Sequence, residues 1–278
     1  MANKETEAIV SSTQAYYDGP ADQIYRTIWG ENLHLGVPCS DECPHPEAME
    51  HTNEIMAQAV HLTPETRALD LGCGYGSTAR YLASQYGCHI TATNISQKEL
   101  DLAAQRTAES GLEDLLTFEY GDFHNLKYAD DSFDIVWSQE AFLHGADKAQ
   151  VLSECLRVLV PGGTLVFTDI LVRSGTPQAD RDRIYDRVKS PDMWDLPDYR
   201  RVLEGLGFDV TREEDWSQHV ARSYDWVRKE VIQNRSELLA LVDAGTIDGT
   251  VDALQFWVEA ATAGKIGWAL LVAQKPQG

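Results

Sequence analysis

Ala68-Leu69-Asp70-Leu71-Gly72-Cys73-Gly74-Tyr75-Gly76-Ser77 is the stretch on which the fold turns. Residues 68–71 form a short, mostly apolar run that reads as a buried strand, and Ser77 to Tyr86 has helical character. Between them lie Gly72, Gly74 and Gly76. Glycine tolerates positive φ and lets a backbone approach a ligand closely, so the segment reads as a strand, a ligand-binding turn and a helix.

Further strands are expected at 89–93, 116–120, 133–137, 164–168, 207–211 and 267–273. Helices are expected between them, one capped by Ser96 with Glu99 three residues on, and others over 148–159 and 197–206. Pro161-Gly162-Gly163 is read as the turn into the fifth strand. An Arg/Asp-rich segment, about 171–200, breaks the rhythm, and helical patterns fill 217–263. The alternation predicts an α/β fold, a Rossmann-like and mostly parallel sheet with helices on both faces. One domain is expected over 1–278, with an N-terminal helical lid over 1–66, a cofactor-binding core over 67–170 and a substrate-side portion over 171–278. The lid is unusually aromatic: Tyr16, Tyr17, Tyr25 and Trp29.

Forty-four acids against 23 bases give a formal net charge of -21. That balance repels nucleic acid and anionic membranes, so neither is expected as a partner. It suits a salt-adapted protein whose hydrated carboxylates keep it in solution. No apolar run reaches the roughly 18–20 residues of a membrane helix, and the first residues lack a signal-peptide pattern, so a cytoplasmic enzyme is expected. Five cysteines are an odd number with three in core segments, which argues against a disulfide framework. Cys39, Cys43, His45 and His51 offer metal-ligating atoms, but in a Pro-rich acidic stretch without a zinc spacing; they read as a surface loop, and no metal is expected.

Asp70 decides the ligand. A dinucleotide would set its pyrophosphate on this loop and helix N-terminus, and a carboxylate at the strand end opposes that anion. Asp70 favours instead a ligand with an ammonium group and no phosphate, such as S-adenosylmethionine (SAM), and Gly-x-Gly-x-Gly departs from the dinucleotide spacing. Asn94, ending the second strand, stands where an acid commonly takes ribose hydroxyls. After the third strand, Asp122 and Phe123 suit an adenine amino group and ring.

Leu69 to Gly76, Gly121-Asp122, Phe133-Asp134-Ile135-Val136 and Leu156 to Gly163 together resemble class I SAM-dependent methyltransferases. The resemblance implies a seven-stranded sheet with a reversed last strand. Tyr16-Tyr17-Asp18, Tyr25 with Trp29-Gly30-Glu31-Asn32-Leu33-His34-Leu35-Gly36, Asn94-Ile95-Ser96 and Ser138 to His144 are similar, more narrowly, to sarcosine/dimethylglycine N-methyltransferases of glycine betaine synthesis. Some of these motifs are shared with tocopherol, phosphoethanolamine and cyclopropane-lipid methyltransferases. The resemblance implies that Tyr17, Gly72, Asn94, Gln97, Asp122, Phe123 and Gln139 line the cofactor site, with Asp70 and Gly74 read from the loop itself.

The expected acceptor is a small amine that carries a carboxylate. Aromatic faces attract the charge that grows on nitrogen, with Tyr25 and Trp29 leading and Trp226 and Trp268 behind. Arg26 and Arg173 are the guanidinium candidates for the carboxylate, and His144, after the fourth strand, is placed to accept a proton. A lipid or prenyl acceptor would need an exposed apolar lid face. A SAM- or nucleotide-binding regulator without catalysis and an NAD-dependent oxidoreductase, which Asp70 opposes, are the remaining alternatives.

Overall fold

The computed structural model describes residues 2–17 and 19–278, and their side chains except for residues 2–7, 16, 17, 20–23 and 25. The Tyr17 and Tyr25 side chains, both expected in the site, lie outside the described residues. The chain opens with α1 (Ala2–Tyr17), α2 (Pro20–Trp29) and α3 (His45–Gln58). The alternating part follows as β1 (Arg67–Leu71), α4 (Ser77–Tyr86), β2 (His89–Asn94), α5 (Gln97–Glu109), β3 (Leu116–Tyr120), β4 (Phe133–Gln139), α6 (Lys148–Val158) and β5 (Leu159–Val172). The remainder is α7 (Gln178–Val188), α8 (Leu196–Leu206), β6 (Asp209–Asp215), α9 (Val220–Gln233), α10 (Arg235–Leu238), α11 (Ala244–Thr262) and β7 (Ile266–Gln274).

The seven strands run in the order β3-β2-β1-β4-β5-β7-β6. Pairs from β3 through β5 are parallel, and β7 is antiparallel to both its neighbours. This is the seven-stranded, mostly parallel sheet with a reversed strand that the resemblance implies. Inner strands are covered on both faces, which is why β5 and β7 are almost continuously buried and apolar. Alternation divides β1 between two cores: Ala68 joins the one under α4, α9 and α11, while Leu69 and Leu71 join the one under α6 and α8.

Several expected boundaries move, and two strand starts show why. β5 begins at Leu159 rather than Thr164, so Pro161-Gly162-Gly163 lies within a strand. The register with β4 shifts between Phe133 and Ile135, and Gly162 adopts φ +79 while its N–H donates to Lys275 O. Such an irregularity is where a strand tolerates a proline, which has no N–H for the ladder. β6 starts two residues late because Gly207, at φ +99, caps α8.

The Arg/Asp-rich interruption holds α7, where the Arg183 guanidinium sits 3.8 Å over the Phe256 ring of α11. Cys39 and Cys43 form a disulfide across the loop before α3, a local bond where the odd cysteine count argued against a disulfide framework. A bond within so short a loop joins neighbours rather than framing the fold, which is why counting cysteines misses it. His45 stacks on Trp226 at 4.5 Å and His51 Nδ1 donates to Val37 O, so neither imidazole joins the sulfurs. Among the described residues, no helix is long and apolar enough to cross a membrane.

Candidate active site

Strand order reverses between β1 and β4, and the crevice at their C-terminal ends is where open α/β sheets bind ligands. The glycine loop and the turn after β4 meet there. Gly72 has φ +79, and a Cβ on it would fall 2.4 Å from Ala141 Cβ. Gly76, at φ +72, lies under the Phe118 ring, which a Cβ would approach to 2.7 Å. The Gly72 and Cys73 N–H groups both donate to Thr93 O, tying the loop to the end of β2. Two cavities open here, of about 660 and 370 Å³, and share Leu33, Gly72, Gly74 and Gln139.

The smaller cavity is a nest of acceptors. Asp70 is buried, and burial pushes its carboxyl up to about 7. Its Oδ2 has no hydrogen-bond partner among the described residues, nor have Asn32 Oδ1 and His34 Nε2, and all three residues line this cavity. His34 Nδ1 donates to Leu35 O at 2.9 Å, which leaves Nε2 as a bare lone pair. Burial lowers His34 to about 4, so the imidazole is neutral. Glu31, on the same wall, pairs with Arg80 and Arg106 and fastens this loop to α4 and α5.

The larger cavity has polar groups at one end. Asn94 Nδ2 donates to Glu99 Oε2 at 2.6 Å, and Asn94 Oδ1 accepts from the Ile95 N–H at 2.7 Å. Asn94 is therefore engaged by its own turn, and Glu99 supplies the acid that the end of β2 lacks; both line the cavity. Sequence reading took Glu99 only as a capping partner, and the Ser96 hydroxyl does accept from the Glu99 N–H at 3.2 Å. Asp122 Oδ1 accepts from the backbone N–H and from Nδ1 of His124, and those bonds hold its carboxyl below the ordinary range despite burial. Phe123 lies edge-on to Phe142 at 6.0 Å, beside Asp122. Gln139 Oε1 accepts from Thr78 Oγ1 and Trp137 Nε1 while Nε2 donates to Asn53, so its orientation is fixed. Gln97 is not brought in: at the first position of α5 it is exposed and donates to Asp101.

At the other end stand Glu140, Ala141 and His144. Burial and the neighbouring Lys148 charge lower His144 to about 3, so it is a neutral ring that holds a proton poorly. Glu140, which sequence reading passed over, has φ +46, a left-handed conformation that costs a non-glycine residue about 1–3 kcal/mol. Its N–H donates to Thr168 O at 2.9 Å, while its carboxylate accepts from Trp268 Nε1 at 2.6 Å and from the Leu35 N–H at 3.1 Å. A polar residue following the strand in Ser138-Gln139-Glu140 was the available signal.

The expected acceptor residues divide. Trp29 is buried and edge-on to Tyr224 at 5.9 Å. Arg187 continues that cluster, with its guanidinium 4.9 Å over Tyr224 and 4.5 Å over Trp257. Arg26, in the last turn of α2, is half-buried and is not among the residues lining either cavity. Arg173 is corrected: its guanidinium binds Asp195, Asp215 and Ser217 and clamps the ends of β5 and β6, so its donors are already engaged. Trp226 packs on His45, and Trp268 serves Glu140.

A family profile described as a methyltransferase domain matches residues 69–167. The chain is 36% identical to a sarcosine/dimethylglycine N-methyltransferase of Halorhodospira halochloris, over 99% of this chain and 100% of that one. It is 33% identical to a dimethylglycine N-methyltransferase of Parasynechococcus marenigrum, over 96% of each. A crystal structure assigned as a sarcosine dimethylglycine methyltransferase from Galdieria sulphuraria superposes with TM-score 0.86 at 31% identity, over 93% of this chain and 99% of that one.

Proposed function

We propose that this chain, which belongs to the sarcosine/dimethylglycine N-methyltransferase family, transfers methyl groups from SAM to sarcosine and dimethylglycine, towards glycine betaine. The observation that carries the reading is the smaller cavity, where Asp70 Oδ2, Asn32 Oδ1 and His34 Nε2 lack hydrogen-bond partners among the described residues. Three acceptors facing one space fit an ammonium group, which has three N–H donors and no acceptor.

The residues present fit SAM. Asp70, Asn32 and His34 would hold its ammonium group, Glu99 its ribose hydroxyls, and Asp122 with Phe123 its adenine. When bound, SAM supplies a methyl group already activated on a sulfonium sulfur. The protein's part is alignment, which contributes up to about 7–11 kcal/mol at best. Because the two cavities share Gly72, Gly74 and Gln139, one SAM can span both, with its ammonium group in the smaller, which leaves the Glu140 and His144 end of the larger cavity to the acceptor. The Trp29–Tyr224 pair and Arg187, stacked over Tyr224 and Trp257, line neither cavity, and in this reading they support the acceptor end with an aromatic face and a guanidinium rather than bounding it. The strongly acidic, Lys-poor composition suits a cell that accumulates a compatible solute.

Incubating the pure protein with SAM and either amine, with products weighed by mass spectrometry, tests the reading. Successive methylation to betaine is the expected result. SAM binding with no methyl gain on either amine would overturn it.

A further inference from the structure

Resting on that reading, we propose that Glu140 receives the ammonium group of the acceptor and accepts its proton as the methyl arrives. The residue follows β4 at the sheet's switch point, where its positive φ departs from the alternation of the strand. It is buried at 9% exposure yet lines the larger cavity, beside the glycine loop. Its hydrogen bonds come from neutral donors, Trp268 Nε1 and the Leu35 N–H, and no ion pair to it occurs among the described residues. A carboxylate removed from water without a cation is unfavourable, and it becomes favourable when a cation or a proton arrives. An alkylammonium acceptor brings both.

The other candidate fails on its own chemistry, since His144 is a neutral imidazole that burial and Lys148 hold near 3. Burial pushes the Glu140 carboxyl up to about 7, close to a working pH, with the bonds from Trp268 and Leu35 and the nearby Thr168 hydroxyl opposing the rise and Asp169 adding to it. The titratable and charged groups around it are Asp169 on β5 with Lys148 behind it, His144 after β4, His34 beside Leu35, and Asp70 on β1. Of these, Asp70 and Asp169 also sit near 7; S-adenosylhomocysteine would supply Asp70 with an ammonium group, and the Asp169 carboxylate is bonded to the Tyr199 hydroxyl.

The step balances as follows. The N–H proton passes to a Glu140 oxygen, and the freed nitrogen lone pair forms the N–CH3 bond. The S–CH3 bond breaks with its electron pair remaining on sulfur, and Glu140 later returns the proton to solvent. The products are the methylated amine and S-adenosylhomocysteine.

Dimethylglycine is titrated calorimetrically into enzyme saturated with S-adenosylhomocysteine, between about pH 6 and 9, alongside initial-rate profiles with SAM. The wild-type affinity should fall towards tenfold for each unit below about 7, as the carboxylate is neutralised. Glu140→Gln should bind about tenfold more weakly above pH 7 with no pH dependence, and kcat should fall about 100-fold at neutral pH and climb with pH as free amine becomes available. SAM affinity should stay within about twofold, since no donor contact is assigned to Glu140. Trp268→Phe removes one hydrogen bond and keeps the carboxylate, so it should retain the inflection and lose less than about tenfold in kcat.

Equal losses in Glu140→Gln and Trp268→Phe with the inflection unchanged in both would assign Glu140 a purely structural role and overturn the proposal. So would an inflection that vanishes in Asp169→Asn and persists in Glu140→Gln. Methylation by the wild-type enzyme with Glu140→Gln indistinguishable from it overturns the proposal alone. Failure of the wild-type chain to bind or methylate either amine overturns the substrate reading and the proposal together.

Discussion

The Leu35 N–H donates to Glu140 Oε2 at 3.1 Å, joining the loop after α2 to the turn after β4 across 105 residues of sequence. The same loop is held by Glu31, which pairs with Arg80 and Arg106, and by the Val37 N–H, which donates to Thr52 Oγ1 at 2.9 Å. Glu31→Gln should loosen the wall of the smaller cavity and weaken SAM binding about tenfold. Glu31 is one-third exposed, so global stability should fall by only about 1 kcal/mol. Calorimetric SAM binding beside urea unfolding separates the two effects.

Asp70→Asn should lower SAM affinity about 10–100-fold, the expected loss of a charge-assisted contact. In the wild-type protein SAM affinity should decline as pH falls through about 7, because a neutral Asp70 no longer attracts an ammonium group. The variant should show no such decline. Titrations at several pH values with S-adenosylhomocysteine, which retains that ammonium, provide the check.

Asp70, Glu140 and Asp169 are all held near 7 by burial, well above ordinary carboxyl values. Between roughly pH 6.5 and 8 these three carboxyls hold protons that the unfolded chain has lost, and stability falls as pH rises through that window; below about 6.5 the buried His34, His45 and His144, lowered to about 4, 4 and 3, act in the opposite sense. The ligand-free protein should melt about 1–3 °C higher near pH 6.5 than near pH 8. SAM should reduce the difference by supplying a cation to Asp70. Added salt should raise the melting temperature at both pH values, since it screens the -21 net charge. Scanning calorimetry with and without SAM reads all three effects.

Arg173 and Arg187 should behave in opposite ways. Arg173→Ala removes the clamp on Asp195 and Asp215 and should cost about 1–3 kcal/mol of stability, with little change in KM for the amine. Arg187→Gln should raise KM for sarcosine and dimethylglycine about tenfold or more while SAM binding is retained. Steady-state kinetics with denaturant unfolding of each variant tests the pair.

Trp29 is edge-on to Tyr224 within the core, so Trp29→Ala would combine a cavity of about 3–5 kcal/mol with any catalytic effect. Trp29→Phe keeps an aromatic face. It should lower kcat/KM for the amine about three- to tenfold with SAM affinity unchanged, the weaker cation–π partner costing about 0.5–1 kcal/mol. Equal losses in both would assign Trp29 to the donor side.

The donor half was legible because its residues are local. Asp70, Gly72 and Gly74 sit on one strand and its turn, and Asp122 and Phe123 follow the next parallel neighbour but one, so alternation alone places them at a single sheet edge. Gln97 escaped because one step of helix phase turns it outward, while Glu99, two residues on, faces in. Arg173 ends its strand at the expected edge, but Asp195 and Asp215, 22 and 42 residues away, reach it first. Glu140 was hidden for a different reason. Its role depends on a positive φ and on partners at positions 35 and 268, and no local pattern encodes either.

One loop, from Glu31 to Leu35, reaches both proposed ends of the reaction: Asn32 and His34 wall the smaller cavity, proposed for the SAM ammonium group, and Leu35 bonds Glu140, proposed to face the acceptor. Two ligands that lean on one element share a coupling free energy, and that coupling acts equally in both directions. Whatever factor SAM adds to the affinity for dimethylglycine, dimethylglycine must add to the affinity for SAM. Cutting the Leu35–Glu140 bond should shrink both factors together, so the loop makes the arrival of either substrate felt at the other's site.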